Sequence, residues 1–377
     1  MTDHVAPSPR VRGPLPAFFR LGTGGDRESL ARLALCGLTV TLLAAIMAGL
    51  VIGPISLPVI EMLPQVLKHV LQGTVPADDP IAVRNWIVLT EIRMPRVILG
   101  ALVGAALAVS GAVMQGLFRN PLADPGIIGI SAGAGLGAAS FIVFGGTVLA
   151  PVSVFLGPFA LPIAAFTGAL FCMLLLYRIG TRQGVTSVAT LLLAGIALTA
   201  LAAASIGLLV YVADNQQLRD INFWNLGSLA GANWDKVLGA GPIILFMLVA
   251  VPFLAHGLNA LMLGEAAAGH MGIRVQRLKN LAIVAVAAAT GAAVAVSGGI
   301  GFVGIVVPHL LRLTIGPDHR YLLPASALLG ASLLILTDAA SRTMVAPAEL
   351  PIGILTAFAG APFFLWILLR KRGLTGL

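Results

Sequence analysis

Charge is scarce in this sequence. Only 10% of its 377 residues are Asp, Glu, Lys or Arg, against about 25% in an ordinary soluble domain. Hydrophobic residues make up 58% and the mean hydropathy is +0.99, so the apolar surface could not be hidden in a water-soluble core. Cysteine is nearly missing: Cys36 and Cys172 both fall within apolar runs, which excludes a disulfide framework and a cysteine metal site. The chain has no G-x-x-x-x-G-K-[ST] phosphate loop, so it is not an ATP-hydrolysing subunit. No Asp or Glu lies midway along an apolar run, which tells against an ion-driven secondary transporter, whose sites usually need ionisable or unwound residues near the midplane. Nor do His, Asp and Glu cluster at one depth, as an integral membrane enzyme would require.

What is present is apolar length. A helix crosses a bilayer with about 17 to 25 apolar residues, and ten such runs are legible, at roughly 33–53, 97–118, 126–148, 155–177, 188–213, 237–256, 280–298, 301–316, 322–341 and 352–369. The expected class is therefore an all-α polytopic membrane protein. Its 44 glycines and 23 prolines fit that class, because lipid-embedded helices use small residues for close packing and tolerate breaks. Gly100 and Gly104 in the second run, and Gly129, Gly133 and Gly137 in the third, have the four-residue spacing that brings backbones together.

One octapeptide occurs twice. Gly104-Ala-Ala-Leu-Ala-Val-Ser-Gly111 returns, with one Leu→Val change, as Gly291-Ala-Ala-Val-Ala-Val-Ser-Gly298. The copies lie on the second and seventh runs, five spans apart, so they cross the membrane in opposite directions. That is the signature of an inverted five-plus-five repeat, an architecture used for alternating access. The halves are expected at 33–236 and 237–377, with residues 1–32 as a cytoplasmic tail, basic and retained because no cleavage site follows the first run. With both termini in the cytoplasm, sixteen of the 23 Lys and Arg lie inside and seven outside, a clear positive-inside bias. The net charge of +8 then reflects topology, and nucleic-acid binding has no place.

The connections carry the remaining signals. The outer segment 54–92 holds an expected surface helix at Val59–Leu71, and the outer segment 214–236 carries Trp224 and Trp234, suited to the membrane interface. The short turn Gly298-Gly-Ile-Gly301 predicts that the seventh and eighth spans are neighbours. Arg93 and Arg96 flank Pro95 at an outer helix start and are either snorkelling anchors or one basic face for an acidic partner. Arg342 lies four residues after Asp338, at ion-pair spacing, and would add a third basic contact. In Asn120-Pro-Leu-Ala-Asp-Pro-Gly126, Asp124 can cap the third span. Segment 259–272, too short and polar to span, predicts a short inner helix able to receive force from a soluble partner. His309 lies mid-membrane, where an ionisable residue raises a functional prior; His270 and His319 are expected to be solvated or partner-facing.

Arg93-Met-Pro-Arg96, Asn120-Pro-Leu-Ala-Asp-Pro-Gly126, Gly301-Phe-Val-Gly-Ile-Val-Val-Pro-His309, Gly316-Pro-Asp-His-Arg320 and Glu349-Leu-Pro-Ile-Gly353, with the octapeptide and Met114-Gln115, resemble the permease subunits of type II ABC importers, which take up ferric siderophores, haem and cobalamin. The resemblance covers about residues 33–370. It implies the ten-span permease fold in a bacterial inner membrane, a homodimer with the path on its axis, and a periplasmic binding protein. It also implies two cytoplasmic ATPase subunits that use ATP and Mg, with no cofactor bound by this chain itself. Arg93, Arg96 and Arg342 then look like the binding-protein docking residues. Asn259, Gly264, Glu265, Ala267, His270 and Gly272 look like the ATPase-coupling segment. Asn120 and Leu122, with Val188 and Ala189 of the loop near Gly184–Ala189, look like the cytoplasmic gate. The pattern is most like the haem-importer branch, with ferric siderophore and cobalamin as alternatives.

Overall fold

The computed structural model describes residues 26–55, 57–62, 64, 68, 79–182 and 185–372. Outer and inner denote the two ends as the distribution of Lys and Arg assigns them. Among the described residues seven helices are long and apolar enough to cross a membrane, and three shorter apolar helices complete the ten expected segments. In the first half they are α1 (Asp26–Val51), α3 (Met94–Leu117), α4 (Ile130–Phe144), α6 (Ala160–Gly180) and α7 (Val188–Val212). In the second half they are α9 (Trp234–Ala250), α12 (Val275–Ser297), α13 (Val303–Thr314), α14 (His319–Ser341) and α15 (Ile352–Arg372). Short helices connect them: α2 (Pro80–Ile87), α5 (Ala150–Leu156), α8 (Asn215–Leu226), α10 (Ala255–Met262) and α11 (Glu265–His270). One small antiparallel pair departs from the all-α pattern, β1 (Thr181–Arg182) with β2 (Val185–Thr186). The N-terminal 25 residues and most of the expected 59–71 helix lie outside the described residues.

The centre is built from α3, α12 and α14, which are mostly buried, whereas α1, α7 and α9 expose most of their length. Small residues make that centre possible, because helices in lipid associate through close packing and not through a hydrophobic drive. A methyl group built on Gly104 of α3 would lie 2.2 Å from the Gly330 carbonyl oxygen of α14. One on Gly137 of α4 would lie 2.1 Å from the Ala164 oxygen of α6. Both separations are impossible for real atoms, so backbones meet at these two positions, whereas Gly100 faces the Leu229 side chain at 3.2 Å and Gly129 (φ 84°) is a turn residue before α4.

The two octapeptides run in opposite directions. Met114 and Phe118 at the inner end of α3 line one small cavity with Ile283 and Val286 in the first half of α12. Gly100 near the outer start of α3 faces Leu229, and the adjacent Ser228 N–H donates to the Ser297 carbonyl at the end of α12, at 2.8 Å. The packing repeats with the same inversion. Gly104 of the second span sits on Gly330 of the ninth, and its counterpart Gly291 of the seventh span sits on Ala169 and Phe166 of the fourth. Each half thus inserts its second helix against the fourth helix of the other.

Two expectations about connections fail. The helices α12 and α13 are not neighbours: both lean on α3, and contact between them is at most marginal. Gly298 (φ 70°) and Phe302 (φ 67°) turn the chain, and Gly304 lands against Gly111, six residues from the inner end of α3. Helix α13, with 12 residues, is therefore roughly 18 Å long and begins inside the bilayer, whose apolar core is about 30 Å. The outer segment 214–236 also differs. Trp224 is half-buried against Gly135 of α4, so its ring packs on the bundle while most of α8 stays exposed. These two irregular stretches satisfy each other, since the Trp224 carbonyl accepts the Gly299 N–H at 3.3 Å. Non-helical backbone at membrane depth is tolerated where protein groups pair it in this way.

Candidate functional site

The outer arginines do not form the exposed basic face anticipated from their spacing. Arg93, Arg96 and Arg342 are all buried, at 3–4% exposure. Helix α2 continues through a π-helical turn, Val88–Arg93, into α3, so Arg93 is set within a continuous helix and not at a free helix start. Its guanidinium donates to the Leu50 and Val51 carbonyls at 2.6 and 3.0 Å and to the Ile55 carbonyl. Arg342 donates to the Gly49 carbonyl at 3.0 Å. Both therefore cap the end of α1, where the unpaired carbonyls concentrate negative charge. Arg96 is held on two sides. Its Nε lies 3.0 Å from each Asp338 oxygen, and its terminal nitrogens grip Glu349 in a two-pronged pair at 3.1 and 2.9 Å. The Arg342–Asp338 ion pair read from the sequence is present, at 3.2 Å. Arg96 and Arg342 thus face two carboxylates, and Arg93, bonded to backbone carbonyls, leaves one net positive charge beneath the outer surface. Of the acids, Asp338 is sealed at 3% side-chain exposure, while Glu349 stays 34% open.

At the inner end, residues 259–272 fold as the last turn of α10, a left-handed Gly264 (φ 107°), helix α11, and a left-handed Gly272 (φ 82°). Glycine is required at both bends because other residues adopt positive φ only under strain. On α11, Glu265 and His270 are exposed, Ala267 is half-buried, and Ala268 is fully buried against the bundle. Asn259 ties this segment to the start of α14: its Nδ2 donates to Asp318 at 2.7 Å, and its Oδ1 accepts the His319 N–H at 2.9 Å. His319 is consequently buried, with Nδ1 2.8 Å from Asn259 Oδ1, contrary to the solvated role expected of it; His270 is exposed as expected. Burial pushes the Asp318 carboxyl up, but bonds from Arg320 and Asn259 overcome this and hold it down at about 2.

The gate residues occupy two places. Asn120 is exposed on the turn after α3, where its Oδ1 accepts the Leu122 N–H at 3.0 Å. Ala189 is exposed at the start of α7; Gly184 and the Val188 side chain lie outside the described residues. What packs between these places is the turn Pro125–Ile128, set against α7. Asp124 opens that turn by accepting the Gly126 N–H at 2.7 Å, and its other oxygen occupies the space a side chain on Gly304 would need. Enclosure raises its carboxyl to about 6 despite the Gly126 bond.

Sequence reasoning passed over Lys279, counted only as a topological charge. It is buried on α12, its ammonium 2.8 Å from Glu265 of α11 and 3.0 Å from the Thr186 carbonyl of β2. Gln276, one turn before, accepts the Thr186 N–H at 3.0 Å and donates to the Thr186 hydroxyl. The only signal in the sequence was a lysine immediately before the seventh apolar run.

Comparison with known proteins follows this geometry. A family model described as the FecCD transport family matches residues 41–370. The hemin transport system permease protein HmuU of Yersinia pestis is 47% identical over 296 residues, 76% of this chain and 84% of that protein. The cobalamin import system permease protein BtuC of Halobacterium salinarum is 43% identical over 286 residues, 76% of this chain and 74% of that protein. A solved structure of an inward-facing metal-chelate type ABC transporter superposes with a TM-score of 0.76 at 34% identity, covering 89% of this chain and 98% of that one.

Proposed function

Since the chain belongs to the FecCD transport family and is the non-catalytic permease subunit of an ABC importer, we propose that its cargo is haem, moved from a periplasmic binding protein into the cytoplasm of a bacterium. The observation that carries this reading is the 47% identity to a hemin permease; the 43% identity to a cobalamin permease supports the second reading, cobalamin. Two copies pair around a central path in the inner membrane, with both termini in the cytoplasm. Two ATPase subunits supply the energy, since no phosphate loop is present. Their closure displaces residues 259–272, whose helix α11 presents Glu265 and His270 to the inner surface, and exposes the path alternately to each side.

Docking on the outer face works by exchange. The exposed loop over 343–349 covers the arginine cluster, and Glu349 is the acid of that cluster open to solvent. An acidic side chain of the binding protein displaces Glu349 from Arg96, drawn by the net positive charge shared among Arg93, Arg96 and Arg342. At the inner face, Asn120 and Leu122 with Val188 and Ala189 close the path until the cargo leaves.

The deciding measurement is uptake into proteoliposomes carrying the permease, its ATPase and its binding protein, with haem, a ferric siderophore and cobalamin offered in turn. ATP-dependent uptake of haem above the other two is expected; preferential uptake of cobalamin would replace the haem reading. Uptake that follows an ion gradient without the ATPase would remove the importer mechanism itself.

A further inference from the structure

The inner face contains one buried charge that touches both the helix assigned to receive force and the hairpin that leads into the gate. Lys279 is 2% exposed, and its ammonium joins Glu265 of α11 at 2.8 Å to the Thr186 carbonyl of β2 at 3.0 Å. Thr186 immediately precedes Ser187, whose hydroxyl caps α7 at the Thr190 N–H. Among the described residues, Glu265 is the one carboxylate within ion-pair distance of Lys279. A buried ammonium separated from its only counter-ion is strongly disfavoured. A shift of α11 therefore carries Lys279 with it, and through the two strong bonds carries Thr186 as well. The neighbouring Gln276 stiffens the far end, since it bonds Thr186 through both backbone N–H and hydroxyl and is itself braced on Asn280 at 2.8 Å.

We propose that Lys279 is the positioning residue that transmits displacement of α11 to the β1–β2 hairpin and the start of α7, so that ATPase closure and gate opening are linked through one ammonium group. Its role is mechanical and electrostatic: it touches neither cargo nor nucleotide. The inference rests on the reading of residues 259–272 as the coupling segment. It adds what that reading lacks, a physical connection between coupling segment and gate within a single chain.

The test uses the complete importer in proteoliposomes, with ATP hydrolysis and cargo uptake measured on the same samples. Lys279→Met is expected to keep hydrolysis within about twofold of the parent while uptake per ATP falls at least about fivefold, the lower end of ordinary coupling between sites. Lys279→Arg, which preserves both bonds, is expected to restore most of that ratio. Glu265→Arg breaks the same link from the exposed partner, so it reports even if Lys279→Met fails to assemble. It should uncouple to a similar degree. Normal uptake per ATP in Glu265→Arg, or in Lys279→Met, overturns the proposal. A third variant, with Glu265–Gly269 replaced by a Gly-Ser run, separates the two claims. If that run uncouples while Glu265→Arg does not, α11 is the coupling helix and Lys279 is not its relay. If neither uncouples, the reading of the segment falls as well.

Discussion

The two ends of this bundle use charge in opposite ways. At the outer end, Arg93, Arg96, Arg342 and Asp338 are all nearly sealed, and their bonds run inward to the end of α1 and across to α14. At the inner end, Lys279 is sealed but its acid partner Glu265 is 49% exposed. Asn259 likewise links a surface segment to the buried His319. A closed cluster fixes the helices it joins. A buried charge paired with an exposed one instead makes any movement of the surface group felt inside. The difference teaches that the outer cluster is a brace first and a docking site second, while the inner contacts are placed to pass movement on.

The largest effect that would break this contrast lies in the brace. Arg96→Met leaves Asp338 buried with Arg342 as its sole remaining cation and frees Glu349. Removing one member of a buried pair typically costs about 3–5 kcal/mol. Denaturant or thermal unfolding of the purified permease should show a loss of that order, larger than that of Glu265→Gln at the inner end, where the acid is 49% exposed and the Thr186 carbonyl still accepts from Lys279. A stable Arg96→Met protein would mean that the outer cluster is not a brace. The same geometry makes charge reversal at Arg96 a poor test of docking, because a glutamate there would face Asp338 and Glu349 and disturb folding before docking was measured.

Why the spacing of residues revealed some of this and not the rest is a matter of reach. The ten apolar segments, the glycine rows and the Arg342–Asp338 pair all depend on periods of three, four or about twenty residues, and these are visible along the chain. The pairing of Arg96 with Asp338 and Glu349 spans 242 and 253 positions, so no local pattern contains it. Arg93 and Arg96 looked exposed because a charged pair at a helix start usually is. Here α2 and the π-helical turn extend α3 outward and carry both arginines below the surface. The separation of α12 from α13 was hidden for a different reason: a glycine-rich turn of a few residues reads as a tight reversal, yet Gly298 and Phe302 turn the backbone so that it runs on to Gly111. Helix α8 was read by Trp224, whose preference for the interface gives no sign that its ring packs against Gly135 of α4.

A smaller effect would sharpen the docking half of the comparison. Glu349→Gln removes the charge of the open acid and leaves Asp338 as the one carboxylate on Arg96, raising the net charge of the cluster from one to two. Association of the binding protein should then quicken by several-fold at low salt and show a steeper salt dependence, since steering by charge acts mainly on the association rate. Surface plasmon resonance on nanodisc-embedded permease at two ionic strengths measures this directly. An unchanged or slower association rate would remove Glu349 as the residue exchanged on docking.

The smallest expected effect concerns pH at the inner end. Asp124 has its folded pKa raised from 3.8 to about 6, so the folded state holds the proton more tightly than the unfolded chain. The stability it contributes is complete below about pH 4 and is lost as the pH rises through about 6, because above that the enclosed carboxylate carries an uncompensated charge. Asp318, held down at about 2, has the opposite sign: its contribution is present above about pH 4 and fades only towards pH 2, so it is silent across the same window. Asp124→Asn keeps an oxygen to accept the Gly126 N–H but cannot ionise. It should therefore flatten the dependence of unfolding temperature on pH between 5 and 7.5 and raise that temperature slightly at the upper end. Asp318→Asn should leave the slope in that window unchanged. If the parent protein shows no loss of stability from pH 5 to 7.5 that Asp124→Asn abolishes, the carboxyl is ionised throughout, and the turn at Pro125 tolerates its charge.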